Sequence, residues 1–433
     1  MLILLVVAVT AYCLVAFSDI PILLSARDIW IETAMTTADH QWLATLLFPR
    51  SVIESTMGRQ VMPDDVTQRH DLVDIGARRD ESDDMQAAYA DAGGGRAAGA
   101  GGSGAAGSAG GGGAGRAGAS GSGVGAAGDG GGAGGAGASD YGGNNGYGGR
   151  GGYGETVFDG AGDRGAMGQQ GAYGGAPGQG GAAGGAGAGA GTDALGNKII
   201  VDDADQGIRI VEVKGATYVG RVLFVADPSR VVVRHTRNPG AIGQLIGDYL
   251  TQHGAIAGIN GNGFDDPEGH GKGGSIIGWS VSGGKEWGTG PRNEYSSSGF
   301  SEDDVLVVGK MSSFAEHGIR DMVQYGPALI VDGKLLIKGS AGWGLQPRTA
   351  IGQLGDGTVA LATVDGRQPG HSVGITAGDL ASLLYDYGCV NAGLCDGGSS
   401  SVMMYDGSVI GSPSTPMKDT GRYLPNAILV LRK

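Results

Sequence analysis

Apolar positions change their spacing several times along the chain, and each change marks an element. Met1 to Phe17 is an uninterrupted apolar run, extended past Ser18 and Asp19 by Ile20 to Leu24. A spanning helix needs roughly 20 apolar residues, so residues 1–24 are expected as a transmembrane anchor. No basic residue precedes the run and no small-x-small site follows it, which favours a retained anchor over a cleaved signal peptide. Scattered apolar residues over 33–53 (Met35, Trp42, Leu43, Leu46, Leu47, Phe48) suggest a short juxtamembrane helix. Periodicity then lapses until Asn197. Over 208–213, Ile208, Ile210 and Val213 alternate with Arg209 and Glu212 as in a strand. Residues 221–225 and 230–234 read as two more strands, divided by the Asp227-Pro228 turn signal. Residues 255–259, 305–308, 328–331, 335–337 and 359–364 are strand-like as well. A helix is predicted over 241–253, where Ile242, Leu245, Ile246, Tyr249 and Leu250 share a face and Gly254 stands at the C-terminal cap. A second is predicted over 376–387. Thr376 and Asp379 form a capping box there, Leu380, Leu383 and Leu384 line one face, and Gly388 ends it.

Many strands and two helices, without regular β-α alternation, predict an α+β fold: a single mixed-sheet domain with a few helices. Composition sets its limits. Most of the 91 glycines lie between Gly93 and Gly191, where there is no Leu, Ile or Trp. Such a stretch cannot bury enough apolar surface to offset its ordering entropy, so 93–192 is expected as a disordered Gly-rich linker. The folded domain is expected at 195–433. Between Glu54 and Asp91 stand ten acidic residues against four arginines, which reads as a solvated acidic stalk within 25–92. A formal net charge of −14 argues against nucleic acid as a partner. Of the three cysteines, Cys389 and Cys395 are six apart; they are either a disulfide or two small buried hydrophobes.

Asp-Gly occurs five times in the domain. At Asp332, Asp356 and Asp406 it stands between strand-like runs and fits a hairpin turn. Asp365 and Asp396 differ, because each ends a strand-like run and leads into a polar loop. After Asp396 come Gly397, Gly398 and three serines, Ser399 to Ser401. Two glycines let a backbone approach a ligand closely, and hydroxyls with exposed N–H groups can cradle an anionic oxygen.

Five segments occur here in the order seen in phosphodiester glycosidases. They are Tyr325-Gly326-Pro327-Ala328-Leu329, Pro347-Arg348-Thr349-Ala350-Ile351-Gly352, Val364-Asp365-Gly366-Arg367, Cys389 through Asp396-Gly397-Gly398-Ser399-Ser400, and Arg422-Tyr423-Leu424-Pro425-Asn426-Ala427. The chain resembles that family over about 208–431. Asn260 to Phe264 is similar to the family's Asn-x-Gly-Phe-Phe element, with a changed register and no second Phe. Where the family usually has Asn-Leu-Asp-Gly-Gly, this chain has Leu394-Cys395-Asp396-Gly397-Gly398, which removes an amide donor and acceptor.

The resemblance implies hydrolysis of a sugar C1–O–phosphate bond, with no cofactor. The departing phosphomonoester has a second pKa near 6 and is already a good leaving group. The site therefore needs cations and donors more than a general acid. Arg348, Arg422 and Arg367 are the candidates to hold the phosphate. Asp396, and after it Asp365, would activate water or stabilise the oxocarbenium-like sugar. Asn260, Tyr325, Gly397, Gly398, Ser399 and Ser400 are expected to bind substrate, and His371 is a candidate assistant. The cluster of Asp265, Asp266, Glu268 and His270 reads as a solvated loop, so no metal ligand is assigned. The expected partners are a sugar-phosphate diester or envelope glycopolymer and, through the N-terminal helix, a membrane, with the domain extracytoplasmic. Two other functions fit the same residues: a tethered glycan-binding module without catalysis, and a phosphodiesterase that cuts P–O.

Overall fold

In a computed structural model, residues 2–18, 20–37, 40–75, 191–266 and 271–433 are described. The Gly-rich tract lies outside them, except for its last two residues. The dominant element is an eight-stranded sheet, ordered β1 (Lys198–Asp203), β2 (Ile208–Lys214), β3 (Val219–Val225), β16 (Val359–Val364), β15 (Arg348–Leu354), β17 (Cys389–Cys395), β13 (Ala328–Val331) and β14 (Lys334–Leu335). A second sheet orders β11 (Leu306–Gly309), β10 (Ser296–Ser301), β12 (Ile319–Tyr325), β8 (Trp279–Ser282) and β9 (Lys285–Gly288). A third orders β19 (Ser408–Val409), β18 (Met403–Tyr405), β5 (Ala255–Asn260), β20 (Asn426–Leu431) and β4 (Val231–His235). A short ribbon pairs β6 (Phe264–Asp265) with β7 (Ser275–Ile276). Pairing is antiparallel throughout the large sheet.

Burial explains why the central strands read as apolar runs rather than as alternations. Leu223, Val225, Val359 and Leu361 face a core shared with the two smaller sheets. Their neighbours Val222, Phe224, Ala360 and Ala362 face a second core on the opposite side. That side is covered by helix α6 (Ala377–Asp386), which buries Leu380, Ala381 and Leu384. A strand covered on both faces has no polar side to show. The α6 cap is as the sequence predicts: Thr376 Oγ1 accepts from the Asp379 N–H at 3.0 Å, and Gly388 takes φ 90° beyond the end. Asp332-Gly333 and Asp406-Gly407 both adopt positive φ at each residue, as tight hairpin turns require.

Helix α5 (Ile246–His253) packs Tyr249 and Leu250 on the third sheet and ends at Gly254 in the left-handed conformation. It starts later than the apolar spacing predicts. The Gly243 and Gln244 N–H groups donate to Lys272 O and Leu424 O, at 2.6 and 2.9 Å, so they belong to a bridge rather than a helical turn. Cys389 and Cys395 are free thiols on one strand, buried in the two different cores.

The amino terminus departs from expectation. Apolar residues 2–17 form α1 (Leu2–Phe17), but the helix ends before Pro21, which opens α2 (Pro21–Met35). Proline brings no N–H to continue the ladder, and its fixed φ suits a first helical position. Sixteen residues at 1.5 Å each span about 24 Å, short of a bilayer core of about 30 Å. Among the described residues, no helix is long and apolar enough to cross a membrane. The apolar run over 1–24 is thus two helices, divided at Pro21, where one spanning helix was expected. The second turns polar after Leu24 and buries Asp28 and Glu32.

Two short helices, α3 (Trp42–Thr45) and α4 (Arg50–Met57), follow where one juxtamembrane helix was expected. The described part of the acidic segment lies along the domain instead of standing free. Thr67 donates to Val308 O and to Asn391 Oδ1, and the Gln68 and Arg69 N–H groups donate to Asp332. Asp332 thus serves both its turn and this strap.

Candidate active site

The large sheet brings its chemistry to one edge. Strand β15 lies between β16 and β17 and runs opposite to both, so Asp365 and Asp396 follow parallel strands and emerge at the same end. Two strand spacings separate their backbones by roughly 10 Å. Pro347 and Arg348 enter between them.

Asp396 is the centre of the cluster. Its backbone is pinned on both sides: its N–H donates to Gly261 O at 2.9 Å, and Asn260 Nδ2 donates to its carbonyl at 2.7 Å. Asn260 is buried at the end of β5, and its Oδ1 accepts from Thr349 Oγ1 and from the Val402 N–H. This residue, expected at the substrate, fastens β5 and β15 to the Asp396 loop. The Asp396 carboxyl accepts from the Gly397 N–H at 2.9 Å, and the Ser400 and Tyr325 hydroxyls lie near enough to favour its charged form. Burial pushes its pKa above the ordinary carboxylate value, against the lowering effects of Ser400 and Arg422. Tyr325 ends β12, stacks on Tyr295 at 5.6 Å between centroids, and is itself raised well above the usual phenol value by burial and by Asp396.

Of the two glycines after Asp396, Gly397 is required by space and Gly398 by conformation. A Cβ on Gly397 would lie 2.8 Å from Pro347 O. Gly398 sits at φ +61°, and a Cβ there would lie 3.0 Å from Arg367 Nη2. The loop therefore passes close between Pro347 and the Arg367 guanidinium.

Arg422 stands on the other flank. Its Nη1 donates to Ser399 Oγ at 2.8 Å, its guanidinium lies 4.5 Å above the Phe264 ring, and Asp266 Oδ2 is 3.8 Å from Nη2. It is partly exposed and lowers the Asp396 pKa by its charge. An aromatic face beneath and a hydroxyl beside it fix the cation while leaving it open to solvent. Asp266 also accepts from the Gly271 N–H at 2.7 Å. Glu268 and His270, of the same sequence cluster, lie outside the described residues.

Arg348 and Arg367 are placed differently. Arg348 is buried and donates to three carbonyls, Ile375 O at 2.9 Å, Trp343 O at 3.0 Å and Gly344 O at 2.9 Å. Burial lowers its pKa to about 10. It orders loop 343–348 and presents its charge behind Tyr325. Arg367, at φ 56°, donates from Nε and Nη2 to Gln346 Oε1 at 3.0 and 2.8 Å. Gln346 in turn donates to Thr33 O on α2 and to Thr36 Oγ1 and Thr37 Oγ1 just past its end. No motif marks Gln346; its position before Pro347-Arg348 was the one available hint.

Asp365 is taken up elsewhere. It pairs with Arg221 and accepts from the Ser412 N–H at 2.9 Å, and His371 Nε2 is 2.8 Å from Oδ2. This is a buried ion pair tying β3, β16 and loop 411–414 together, with His371 as its third member. Arg221 went unremarked in the sequence, where its one signal is a lone cation inside the apolar run of β3.

Residues 253–431 match the family model described as phosphodiester glycosidase. The fold extends beyond that stretch, since β3 pairs with β16 and β4 with β20. A curated relative, the SPbeta prophage-derived uncharacterized protein YomE of Bacillus subtilis (strain 168), is 37% identical over 123 residues, or 27% of this chain. The matched region covers 19% of that relative's length. The zebrafish N-acetylglucosamine-1-phosphodiester alpha-N-acetylglucosaminidase catalytic domain, auto-inhibited by its pro-peptide, is similar at TM-score 0.43 and 23% identity. That match covers 52% of this chain and 82% of the zebrafish domain. A hypothetical protein from Synechocystis is similar at TM-score 0.40 and 14% identity, covering 56% of this chain and 65% of that one.

Proposed function

We propose that this chain, whose residues 253–431 are a phosphodiester glycosidase domain, hydrolyses the sugar C1–O–phosphate bond of a glycosyl phosphodiester in a cell-envelope or extracellular glycopolymer. The observation that carries the reading is the placement of the half-buried, pKa-raised Asp396 near a partly exposed cation, Arg422, which holds the Ser399 hydroxyl. A carboxylate held above its ordinary pKa is a stronger base. In this reading Asp396 takes a proton from a water whose oxygen bonds to C1. The C1–O bond breaks with its electron pair going to the phosphate oxygen. Arg422 and the Ser399 hydroxyl, whose oxygen already accepts from Arg422, receive the charge that develops there.

A second carboxylate is not required, because a phosphomonoester leaves without a proton from a general acid. Asp365 fits that account, since its oxygens are held by Arg221, His371 and Ser412. With such a polymer as substrate, the domain would work outside the cytoplasm.

The test is to incubate the full chain with a GlcNAc-1-phospho-methyl diester in oxygen-18 water. Labelled free sugar supports the proposal. Label in the phosphate would replace it with a phosphodiesterase that cuts P–O. Saturable binding without release from the folded chain would replace it with a glycan-binding module.

A further inference from the structure

Beside the Asp396 cluster, helix α2 and the loop after Arg367 enclose a cavity of about 340 Å³, within the size range of small-molecule sites. Ile29, Trp30 and Leu43 wall it on one side, and Leu345, Pro369 and Val373 on the other. Arg367 also lines it, and the same guanidinium reaches the position a Cβ on Gly398 would occupy, 3.0 Å away. The cavity is thus apolar along most of its wall, with Thr33, Thr37, His40 and Gln368 among its polar residues, and includes a cation that lies beside the loop of Asp396. Sugar hydroxyls would lose their hydrogen bonds to water in such a lining and gain few in return. An alkyl chain loses nothing there, and the cation matches a phosphate at its head.

Resting on the phosphodiester glycosidase reading, we propose that this cavity seats the apolar chain of a lipid-linked sugar phosphodiester, with Arg367 holding the phosphate at its mouth. The aglycone on this reading is an alkyl or prenyl chain rather than a second sugar. The neighbouring surface has the same character. Arg27 on α2 donates to Ala16 O at 3.0 Å, which brings the end of α1 beside the cavity wall, and Leu14, Val15 and Phe17 of α1 are exposed. A substrate presented from a lipid surface would meet apolar side chains along its way in.

The test uses the full chain and calorimetric titration with octyl phosphate, methyl phosphate and octyl glucoside, all below micelle formation. Octyl phosphate is expected to bind at least about tenfold tighter than either of the others, since chain and phosphate are both read. Ala26→Trp and Val373→Trp fill the cavity from opposite walls at exposed positions, so each should fold. Each is expected to bring octyl phosphate down to the affinity of methyl phosphate and leave methyl phosphate unchanged. Equal affinity for octyl and methyl phosphate overturns the inference, as does an octyl affinity that survives both substitutions. Chain-dependent binding without diester turnover keeps this site and removes the proposed reaction. Sugar release with no preference for the chain does the reverse.

Discussion

Replacing Asp396 by Asn separates the chemistry at this site from its architecture. The backbone bonds from Asn260 and to Gly261 do not involve the side chain and survive. The Asn Oδ1 still accepts from Gly397, and the new amide can donate to the Ser400 and Tyr325 oxygens once those hydroxyls turn. The substitution also removes a carboxylate that burial disfavours in its charged form. Because the folded pKa is raised, the carboxyl contributes full stability below its unfolded pKa of about 3.9 and loses it as pH rises through the folded value, at about 1.4 kcal/mol per pH unit between the two. At pH 7 the wild type bears that loss and the Asn variant does not, so the variant should be as stable or more stable. Catalysis should fall about a thousandfold, or about 4 kcal/mol in the barrier, if Asp396 is the base. Sugar release from the methyl diester and urea unfolding at pH 5 and pH 7 read the two effects on one preparation. Undiminished turnover in a folded Asp396→Asn protein would refute the mechanism. A large loss of stability would refute the electrostatic account.

Arg422→Met keeps the contact with Phe264 but removes the cation and the bond to Ser399; kcat should fall about a hundredfold, and an unchanged kcat would remove Arg422 from the chemistry. Asp365→Asn leaves the buried Arg221 with Glu212, 3.5 Å away, as its remaining carboxylate, so the urea midpoint should report a loss of about 2 kcal/mol, while kcat of the folded variant stays within about tenfold of wild type. A thousandfold fall in kcat there would return Asp365 to the chemistry. His235 is buried against Trp287 and Ser280, and burial lowers its pKa to about 3. It contributes stability above its unfolded pKa of about 6.5 and loses it as pH falls toward the folded value, so about 2 kcal/mol should go between pH 6.5 and pH 5. His235→Asn should abolish that component of the pH dependence, measured as the difference between the two proteins' unfolding free energies.

Local rules carried most of the elements. Strands 328–331 and 359–364 fall as expected because both their faces are apolar and turn residues bound them. Thr376, Asp379 and Gly388 define their helix by hydrogen bonds that span three or four positions of sequence, and such signals are legible in one dimension. The loop of Asp396 through Ser400 was legible for the same reason, as a run of small polar residues that no hairpin explains. Apolar content misled at the amino terminus, where summed hydrophobicity over 1–24 overlooked that Pro21 starts a new helix and that Asp28 and Glu32 lie on its buried face.

What the sequence by itself determined is therefore the inventory: an α+β domain, its capped helices, its turns, and a small set of aspartates and arginines fit for phosphate and sugar chemistry. Only the tertiary structure decided how that set divides. Asp365 and Asp396 look alike in sequence, each an Asp-Gly at a strand end. In the fold one meets Arg221, 144 positions away, and the other meets Tyr325 and Arg422. The same holds for the arginines: Arg348 is taken up by three carbonyls, Arg367 joins Gln346 to the wall of a cavity, and Arg422 is partly exposed beside Ser399. A carboxylate's charge state and a cation's freedom depend on partners brought together across the sheets, and those pairings have no local signature in the chain.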